Sequence, residues 1–299
     1  MAIGPDIRFM YVNICYIFNY VFMDRKMHFN WRFFASKTKS YYKKGSFAVD
    51  TRDTNADWQI IAKEQPYWGV LSVEQFRGRD ISGENRAQFF ASGVDYVNRL
   101  LGLVHKHFGP VNGRALDFGC GVGRLSIALA SKFTEVVGVD VSEEMLTLCR
   151  NNARQSGVRN IEVVLSDDTL SRVTGQFDLV NTIIVLQHIP PERGIRILQR
   201  LIDLTKVGGI CSIQVTYARE RHMLAHELGN ALYYRRTQDA LLDLRASEVA
   251  HPPGTITMYD YDLNEIFVRL SEKSGSPVIC IPTNDGGHLG VHFIFCRGR

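Results

Sequence analysis

A glycine-rich turn next to acidic residues is the part of the sequence whose residue types and spacing point most directly to chemistry. Residues 116–124 read Leu-Asp-Phe-Gly-Cys-Gly-Val-Gly-Arg, and Asp140 closes the next apolar run. Glycines let the backbone come close to a ligand, and ionised carboxylates accept hydrogen bonds from cations and hydroxyl groups. Because the turn lies between an apolar run and an amphipathic one, the pattern predicts a strand, a ligand-binding turn and a helix.

The arrangement of the glycines argues against a dinucleotide. A dinucleotide turn follows Gly-x-Gly-x-x-Gly, and Arg124 stands where the third glycine would let the helix pack on the strand. The glycines are spaced Gly-x-Gly-x-Gly instead, and Asp117, two residues before the first of them, would repel a pyrophosphate. A carboxylate there suits a cationic amino-acid group, and Asp140 suits a ribose. S-adenosylmethionine (SAM) carries both groups.

The segment from Ala115 to Met145, ALDFGCGVGRLSIALASKFTEVVGVDVSEEM, resembles motif I and the following motif of class I SAM-dependent methyltransferases. The resemblance covers residues 89–216 well, and the segments 177–180 and 186–190 are similar to those of small-molecule members. It implies an α/β fold with a Rossmann-like doubly wound sheet, mostly parallel with a C-terminal antiparallel hairpin, plus helical cap elements. It also implies an enzyme that moves a methyl group from SAM to an oxygen or nitrogen of a small molecule.

The cofactor site is expected beyond the carboxyl ends of the strands, where open α/β sheets bind their ligands. Asp117 is expected to pair with the ammonium group of SAM, and Asp140 to accept both ribose hydroxyls. The resemblance implies an acid that accepts the adenine amino group, Asp167 or Asp168, of which Asp167 aligns better. The apolar members of the set are equally consistent with core packing. The expected residues are Asp117, Gly119, Cys120, Gly121, Gly123, Asp140, Val141, Met145, Asp167, Asp168 and Thr182.

Two histidines are candidates for a general base. His188 follows the fourth predicted strand, and His288 lies in the predicted C-terminal turn. An oxygen acceptor must lose its proton during methyl transfer and histidine suits neutral pH, whereas an amine only needs to be neutral. A structural role for His188 and a surface-turn role for His288 are the alternatives. The chain lacks the Asn/Asp-Pro-Pro-Tyr/Phe box of DNA amino-methylating enzymes and the paired glutamates of arginine methyltransferases, which favours a different acceptor.

Alternating apolar and amphipathic segments predict a parallel sheet with helices on both faces. Ser142 and Asp262 are predicted N-caps, and Pro191 suits the first position of a helix. Strands are predicted at residues 114–118, up to Asp140, at 161–165, 179–185 and 210–215, and a hairpin at 278–281 and 291–295.

Three regions are expected along the chain. They are an N-terminal extension (1–48), a helical cap (49–112) and a SAM-binding methyltransferase domain (113–299) with a helical insertion (218–261). The extension contains an apolar stretch too short to span a membrane and without the marks of a signal peptide. Three interpretations stay open for it: an added packed element, a segment that is mobile or lies on a membrane surface, or sequence upstream of a true start at Met23 or Met27.

Composition narrows the partners. Of the 299 residues, 45% are hydrophobic, which is enough for a large core. Seven Lys or Arg against one acid lie between Asp24 and Lys44, so the net charge of +4 leaves residues 45–299 at −2. We therefore expect no nucleic-acid partner and no stable membrane insertion. The six scattered cysteines form no Cys-x-x-Cys pair, which predicts no metal site and favours free thiols in a cytoplasmic protein.

The acceptor is expected in an enclosed pocket walled by aromatic and histidine side chains from the cap and the insertion. These side chains are Trp58, Tyr67, Trp68, His222, His226, Tyr233, Tyr234, Tyr259 and Tyr261. Rival functions are a nicotinamide-dependent dehydrogenase, a module that binds SAM without catalysis, and a methyltransferase acting on a protein or nucleic acid. The sequence leaves the acceptor and the oligomeric state open.

Overall fold

Strands and helices alternate through the part of the chain that the computed structural model describes, which is residues 53–220, 233–236, 242–245 and 253–299. The strands are β1 (Arg114–Phe118), β2 (Glu135–Asp140), β3 (Ile161–Leu165), β4 (Phe177–Thr182), β5 (Thr205–Arg219), β6 (Tyr233–Arg236), β7 (Leu242–Arg245), β8 (Ile279–Asp285) and β9 (His288–Cys296). The helices are α1 (Thr54–Glu64), α2 (Pro66–Val70), α3 (Gly83–Phe108), α4 (Arg124–Ala130), α5 (Glu143–Gln155), α6 (Pro191–Leu204) and α7 (Leu263–Lys273). Short 3₁₀ turns cover Glu74–Phe76 and Leu186–His188.

Seven strands form one mixed sheet in the order β3-β2-β1-β4-β5-β9-β8. The first five of these run parallel, and β9 is antiparallel to both of its neighbours, β5 and β8. The order reverses between β1 and β4, which is the point where doubly wound sheets bind ligands. The predicted fold, a mostly parallel Rossmann-like sheet with a C-terminal antiparallel hairpin, is confirmed.

Hydrophobic layers cover both faces of the sheet because its central strands are apolar on both sides. On one face α6 and α7 bury Leu198, Leu201 and Ile266 against the sheet, and on the other α3 and α4 bury Leu100 and Leu129. Each such side chain contributes roughly 1.5–3 kcal/mol through burial. The sheet is therefore a rigid frame for the loops at its carboxyl edge.

The predicted helix starts are confirmed by their capping bonds. The hydroxyl of Ser142 accepts the amide of Met145 at 3.4 Å, and the carboxylate of Asp262 accepts the amide of Asn264 at 2.8 Å. Pro191 occupies the first turn of α6. These caps satisfy amide groups that the helix itself leaves without partners.

The C-terminal hairpin brings its turn to the edge of the sheet where the parallel strands end. Asp285, the last residue of β8, pairs with His288, the first of β9, across two glycines with positive φ. His288 also pairs with Arg219 at the end of β5. His288, a candidate base, therefore lies at the carboxyl edge of the sheet together with Asp285.

Three predictions about secondary structure need correction. The fourth strand ends at Thr182 and not at residue 185, because Ile184 has a φ of 59° that no strand accommodates. The fifth strand is longer than expected since β9 pairs along most of its length. The insertion at 218–261 was predicted to be helical, but its described parts include two paired strands, β6 and β7. Local helix-favouring composition is a weak guide where strand pairing competes.

Other predictions lie outside the described residues. They concern the extension at 1–48 and the positions His222 and His226. Within the described ranges, we find no helix with the length and apolar character needed to cross a lipid bilayer.

Candidate active site

A cleft of about 980 Å³, open to solvent on one side, lies over the carboxyl edge of the sheet between β1 and β4. Ligands of open α/β sheets bind at this place. Ten residues expected in the site line this cleft: Asp117, Gly119, Cys120, Gly121, Asp140, Val141, Met145, Asp167, Asp168 and His188. Three others, Gly123, Thr182 and His288, are not part of its lining.

The glycine turn follows β1 and forms the floor of the cleft. Gly119, Gly121 and Gly123 all have positive φ, a conformation that other residues rarely adopt. A Cβ atom on Gly121 would lie 2.5 Å from the side chain of Val70, and one on Gly119 would collide with Val185. The turn therefore requires glycine for its backbone conformation and for the space above it. It leaves backbone groups facing the cleft.

Asp140 closes β2 and holds the glycine turn from the side. Its two carboxylate oxygens accept the backbone amides of Gly121 and Ser142, each at 2.9 Å. Burial raises the pKa of this carboxyl to about 6, against the opposing effect of these amides. Each oxygen keeps a further lone pair, so Asp140 can accept hydroxyl groups from a ligand in the cleft.

Asp117 is buried on β1 directly below the turn. Its carboxylate accepts the hydroxyl of Ser126 at 2.7 Å and the amide nitrogen of Asn181 at 3.2 Å. Burial raises its pKa, and these two hydrogen bonds together with the charge of Arg124 oppose that rise. When ionised, this carboxylate places at the floor of the cleft the negative charge that a ligand with a cationic end requires.

A row of buried polar side chains continues from Asp117 across the neighbouring strands. The side-chain oxygen of Asn181 on β4 accepts the hydroxyl of Ser212 on β5 at 2.8 Å and that of Tyr96 at 3.0 Å. Ser212 in turn lies 2.8 Å from Nε2 of His292 on β9. Because the Ser212 proton goes to Asn181, Nε2 of His292 carries the proton of that contact. We call Asp117, Asn181, Ser212 and His292 the polar row.

Arg124 lines the cleft, although in the sequence it indicated only that the third glycine of a dinucleotide turn is absent. It is the first residue of α4, its side chain is buried, and it lines the cleft beside Asp117. Its Nε has no hydrogen-bond partner among the described residues, and burial lowers the pKa of the guanidinium. A buried acid and a buried cation side by side can recognise the two charges of an amino-acid group. The sequence signal was the charge itself, directly after the last glycine.

The two acids after β3 have different roles. Asp167 is exposed, and its pKa is lowered by hydrogen bonds from the hydroxyl groups of Ser171 and Thr169 and from the backbone amides of the same residues, at 3.1 and 2.8 Å. Asp168 binds Arg193 through both oxygens, at 2.9 and 2.7 Å. Both acids line the cleft, and each already has partners within the protein.

Arg193 at the start of α6 ties the cap to the sheet. Besides Asp168, its guanidinium donates to the side chains of Thr54 at 3.2 Å and Asn55 at 3.1 Å, at the start of α1. All four residues line the cleft. The sequence did not single out Arg193, because nothing local distinguishes it from the other arginines of α6.

His188 ends the 3₁₀ turn after β4, and its ring is buried in the cleft wall. Its Nδ1 lies 3.0 Å from the backbone oxygen of Thr257, which accepts but cannot donate. Nδ1 therefore carries the ring proton and Nε2 a lone pair. Burial, together with the nearby His288, lowers the pKa of His188 to about 4. The edge of Trp58 contacts the ring, with centroids 5.2 Å apart. His188 is thus neutral with a fixed tautomer.

The remaining predicted residues surround this arrangement. Gly123 caps α4, and the buried hydroxyl of Thr182 has no hydrogen-bond partner within the described part of the chain. His288 is buried at the start of β9. A hydrogen bond to Cys149 and burial raise the pKa of the Cys120 thiol well above its ordinary value, so it is a neutral group.

Among the aromatic side chains expected around the acceptor, Trp58 lines the cleft. Tyr67 is buried against Phe89, and Trp68 stacks on the guanidinium of Arg77 at 4.5 Å. The Tyr261 hydroxyl donates to the backbone oxygens of Leu186 and Ile189, at 2.8 and 2.9 Å, and so supports the turn that carries His188. The wall near His188 is aliphatic instead, formed by Ile183, Ile184, Val185 and Ile189.

Comparison with known protein families agrees with this geometry. A model of the methyltransferase domain family matches residues 115–209, which span β1 to the first part of β5. The ubiquinone biosynthesis O-methyltransferase of Acinetobacter baylyi is 28% identical over 182 residues, which cover 58% of this chain and 71% of that enzyme. The enzyme of the same name from Pseudomonas aeruginosa (strain LESB58) is 33% identical over 118 residues, 39% of this chain. That match spans about half of its length (47%).

Among solved structures, magnesium protoporphyrin IX methyltransferase from Synechocystis PCC 6803 with bound S-adenosylhomocysteine (SAH) superposes with a TM-score of 0.52 at 18% identity. The superposition covers 79% of this chain and 98% of that one. At this identity the likeness shows the fold.

Proposed function

We propose that this chain, a class I SAM-dependent methyltransferase that acts on a small molecule, methylates a hydroxyl oxygen on a largely apolar acceptor, with His188 as the base. The observation that carries the proposal is the fixed tautomer of His188. The ring lies in the cleft wall, and its Nε2 carries a lone pair. The O-methyltransferase names of the sequence relatives support an oxygen acceptor.

The cleft fits SAM in three respects. Asp117 and Arg124 offer an anion and a cation for its ammonium and carboxylate groups. Asp140 keeps free lone pairs for the ribose hydroxyls, and Gly119 and Gly121 of the glycine turn line the cleft. Asp167 and Asp168 line the same cleft, so either can contact the adenine.

The chemistry at the acceptor is positioning and proton removal. Bound SAM supplies a methyl group on a good leaving group, so that methyl transfer needs in-line placement and desolvation more than activation. The Thr257 carbonyl holds Nδ1–H of His188, so the lone pair that takes the hydroxyl proton is on Nε2, which lies 3.5 Å from the side-chain nitrogen of Gln187. Since the pKa of His188 is lowered to about 4, the ring is neutral at pH 7 and passes the proton on to solvent readily.

The acceptor is small and mainly apolar. Aliphatic side chains and Trp58 form the wall beside His188. Residues 45–299 carry a net charge of −2, which argues against a polyanionic acceptor such as a nucleic acid. We place the enzyme in the cytoplasm, in line with the unpaired state of the five described cysteines.

The test compares matched acceptors. The enzyme and methyl-labelled SAM are incubated with a panel of phenols and with anilines of the same shape, and products are identified by mass spectrometry and NMR. O-methylated products are expected, and His188→Gln should lower their turnover by roughly 10²–10⁴-fold with SAM affinity kept. Methylation of anilines alone, or full activity of His188→Gln on phenols, would contradict the proposal.

A further inference from the structure

Ile184 has a backbone conformation that is rare for a β-branched residue. Its φ is 59°, in the left-handed region, where its side chain crowds the backbone. It lies two residues after the end of β4 and lines the cleft. The next residue, Val185, occupies the space above Gly119. The segment 183–185 thus forms one wall of the cavity that faces the glycine turn.

A buried amide group holds this conformation. The side-chain oxygen of Gln214 on β5 accepts the backbone amide of Ile184 at 2.6 Å. Its nitrogen donates to the carboxylate of Asp285 at 2.7 Å and to the hydroxyl of Thr283 at 3.1 Å, both on β8. Because a carboxylate accepts and does not donate, Asp285 fixes the orientation of the amide and so presents the oxygen to Ile184.

The contact between β5 and β8 crosses the intervening strand β9 at a glycine. Gly290 pairs with Thr216 on one side and Thr283 on the other. A Cβ atom at Gly290 would lie 2.5 Å from the Thr283 hydroxyl and 3.4 Å from the side-chain nitrogen of Gln214. The absence of a side chain at this position therefore makes room for the Thr283 hydroxyl, which accepts the hydrogen bond from Gln214.

We propose that Gln214 and Asp285 are positioning residues that hold Ile184 in its left-handed conformation and so shape the cavity wall at 183–185. The C-terminal hairpin then sets the form of the cofactor cleft through a single amide. This role is separate from the base function of His188 and from the acceptor atom, because it concerns the wall and its contact with the glycine turn. SAH is therefore a suitable probe, and no acceptor is needed.

The first experiment is an exchange of donor and acceptor at the two positions, read by calorimetric SAH binding at pH 8. Gln214→Glu places a second carboxylate against Asp285 and should raise the SAH dissociation constant by about tenfold. Adding Asp285→Asn restores a donor opposite the new acid and should return the constant to within about twofold of wild type. A double variant no better than Gln214→Glu overturns the proposal.

The second experiment tests the link to backbone strain through the melting temperature without ligand. Gln214→Leu should lower the melting temperature by about 2–4 °C in the wild-type background. In the Ile184→Gly background it should lower it much less, because glycine adopts the left-handed conformation without help. Ile183→Gly is the matched control, and there Gln214→Leu should keep its full effect. Equal effects of Gln214→Leu in all three backgrounds would refute the role in holding Ile184.

Discussion

The carboxylate of Asp140 at the end of β2 accepts the backbone amide of Gly121 at 2.9 Å, so the acid assigned to the ligand also secures the glycine turn after β1. Its second oxygen accepts the amide of Ser142, which starts α5. One side chain thus joins two strand ends at the floor of the cleft. A change at Asp140 should affect ligand contact and turn geometry together.

Asp140→Ala should weaken SAM binding by roughly 1.5–3 kcal/mol, the range for hydrogen bonds to a charged group. The dissociation constant measured by calorimetry should therefore rise about ten- to a hundredfold. Glu143→Ala, at an exposed acid of α5, is the matched control and should leave affinity unchanged. Unaltered binding by a folded Asp140→Ala protein would remove this residue from the site.

SAM affinity should fall as the pH drops below about 6. Burial raises the pKa of Asp140 to about 6 in the free protein, and the carboxylate form is the one that accepts ribose hydroxyls. Binding must then displace a proton, so the dissociation constant should rise about tenfold between pH 7 and pH 5. Asp140→Asn should flatten this dependence, apart from a share left to Asp117, whose pKa is also raised. A pH-independent constant in wild type would contradict the assignment.

Arg124→Met should weaken SAM binding by about ten- to a hundredfold, since a charged hydrogen bond to the carboxylate is lost. Arg124→Lys should be intermediate because lysine lacks the planar fork. Decarboxylated SAM gives the sharper comparison: wild type should bind it less tightly than SAM, and Arg124→Met should bind both equally. Arg150→Met, on the exposed side of α5, serves as the control. Retained preference for the carboxylate in Arg124→Met would exclude the contact.

His292→Gln should make the protein less sensitive to acid. Burial lowers the pKa of His292 to about 4, so between pH 6.5 and 4 the unfolded chain binds a proton that the folded protein does not. The free energy of unfolding of wild type should therefore decrease as the pH is lowered through this window. From pH 7 to pH 5, the free energy of unfolding of the variant should decrease by about 2 kcal/mol less than that of wild type. Urea unfolding at the two pH values measures this. His105→Gln, at an exposed histidine of α3, should behave like wild type.

The parts that could be predicted from sequence are those encoded locally. Apolar runs gave the bounds of β1 and β3, and the capping residues Ser142 and Asp262 marked their helices. The predicted end of β4 was wrong because residues 179–185 read as one apolar run, whereas the backbone amide of Ile184 is bound by Gln214, 30 residues further along the chain. Long-range contacts of this kind leave no local trace in composition.

The residues of the candidate site also divide into those that local sequence spacing predicts and those that depend on long-range contacts. The spacing of the glycines and of Asp140 along the sequence predicted a ligand-binding turn, and ten of the predicted residues line one cleft. Arg193 was missed because its partners, Asp168 and Thr54, lie 25 and 139 positions away. The tautomer of His188 depends on Thr257, whose approach is set by the chain after β5 and not by the segment around the histidine.

The polar row also bears on how the sheet assembles. Side chains on a strand alternate between its two faces, so a slip of one residue in strand pairing would turn Asp117, Asn181 or Ser212 away from its partners. Each of these groups would then be buried without a hydrogen bond, at a cost of roughly 1–3 kcal/mol for a neutral group. The apolar neighbours in β1, β4 and β5 are similar enough to tolerate such a shift. The same hydrogen bonds that connect Asp117 to its neighbours therefore select one alignment of the central strands during folding.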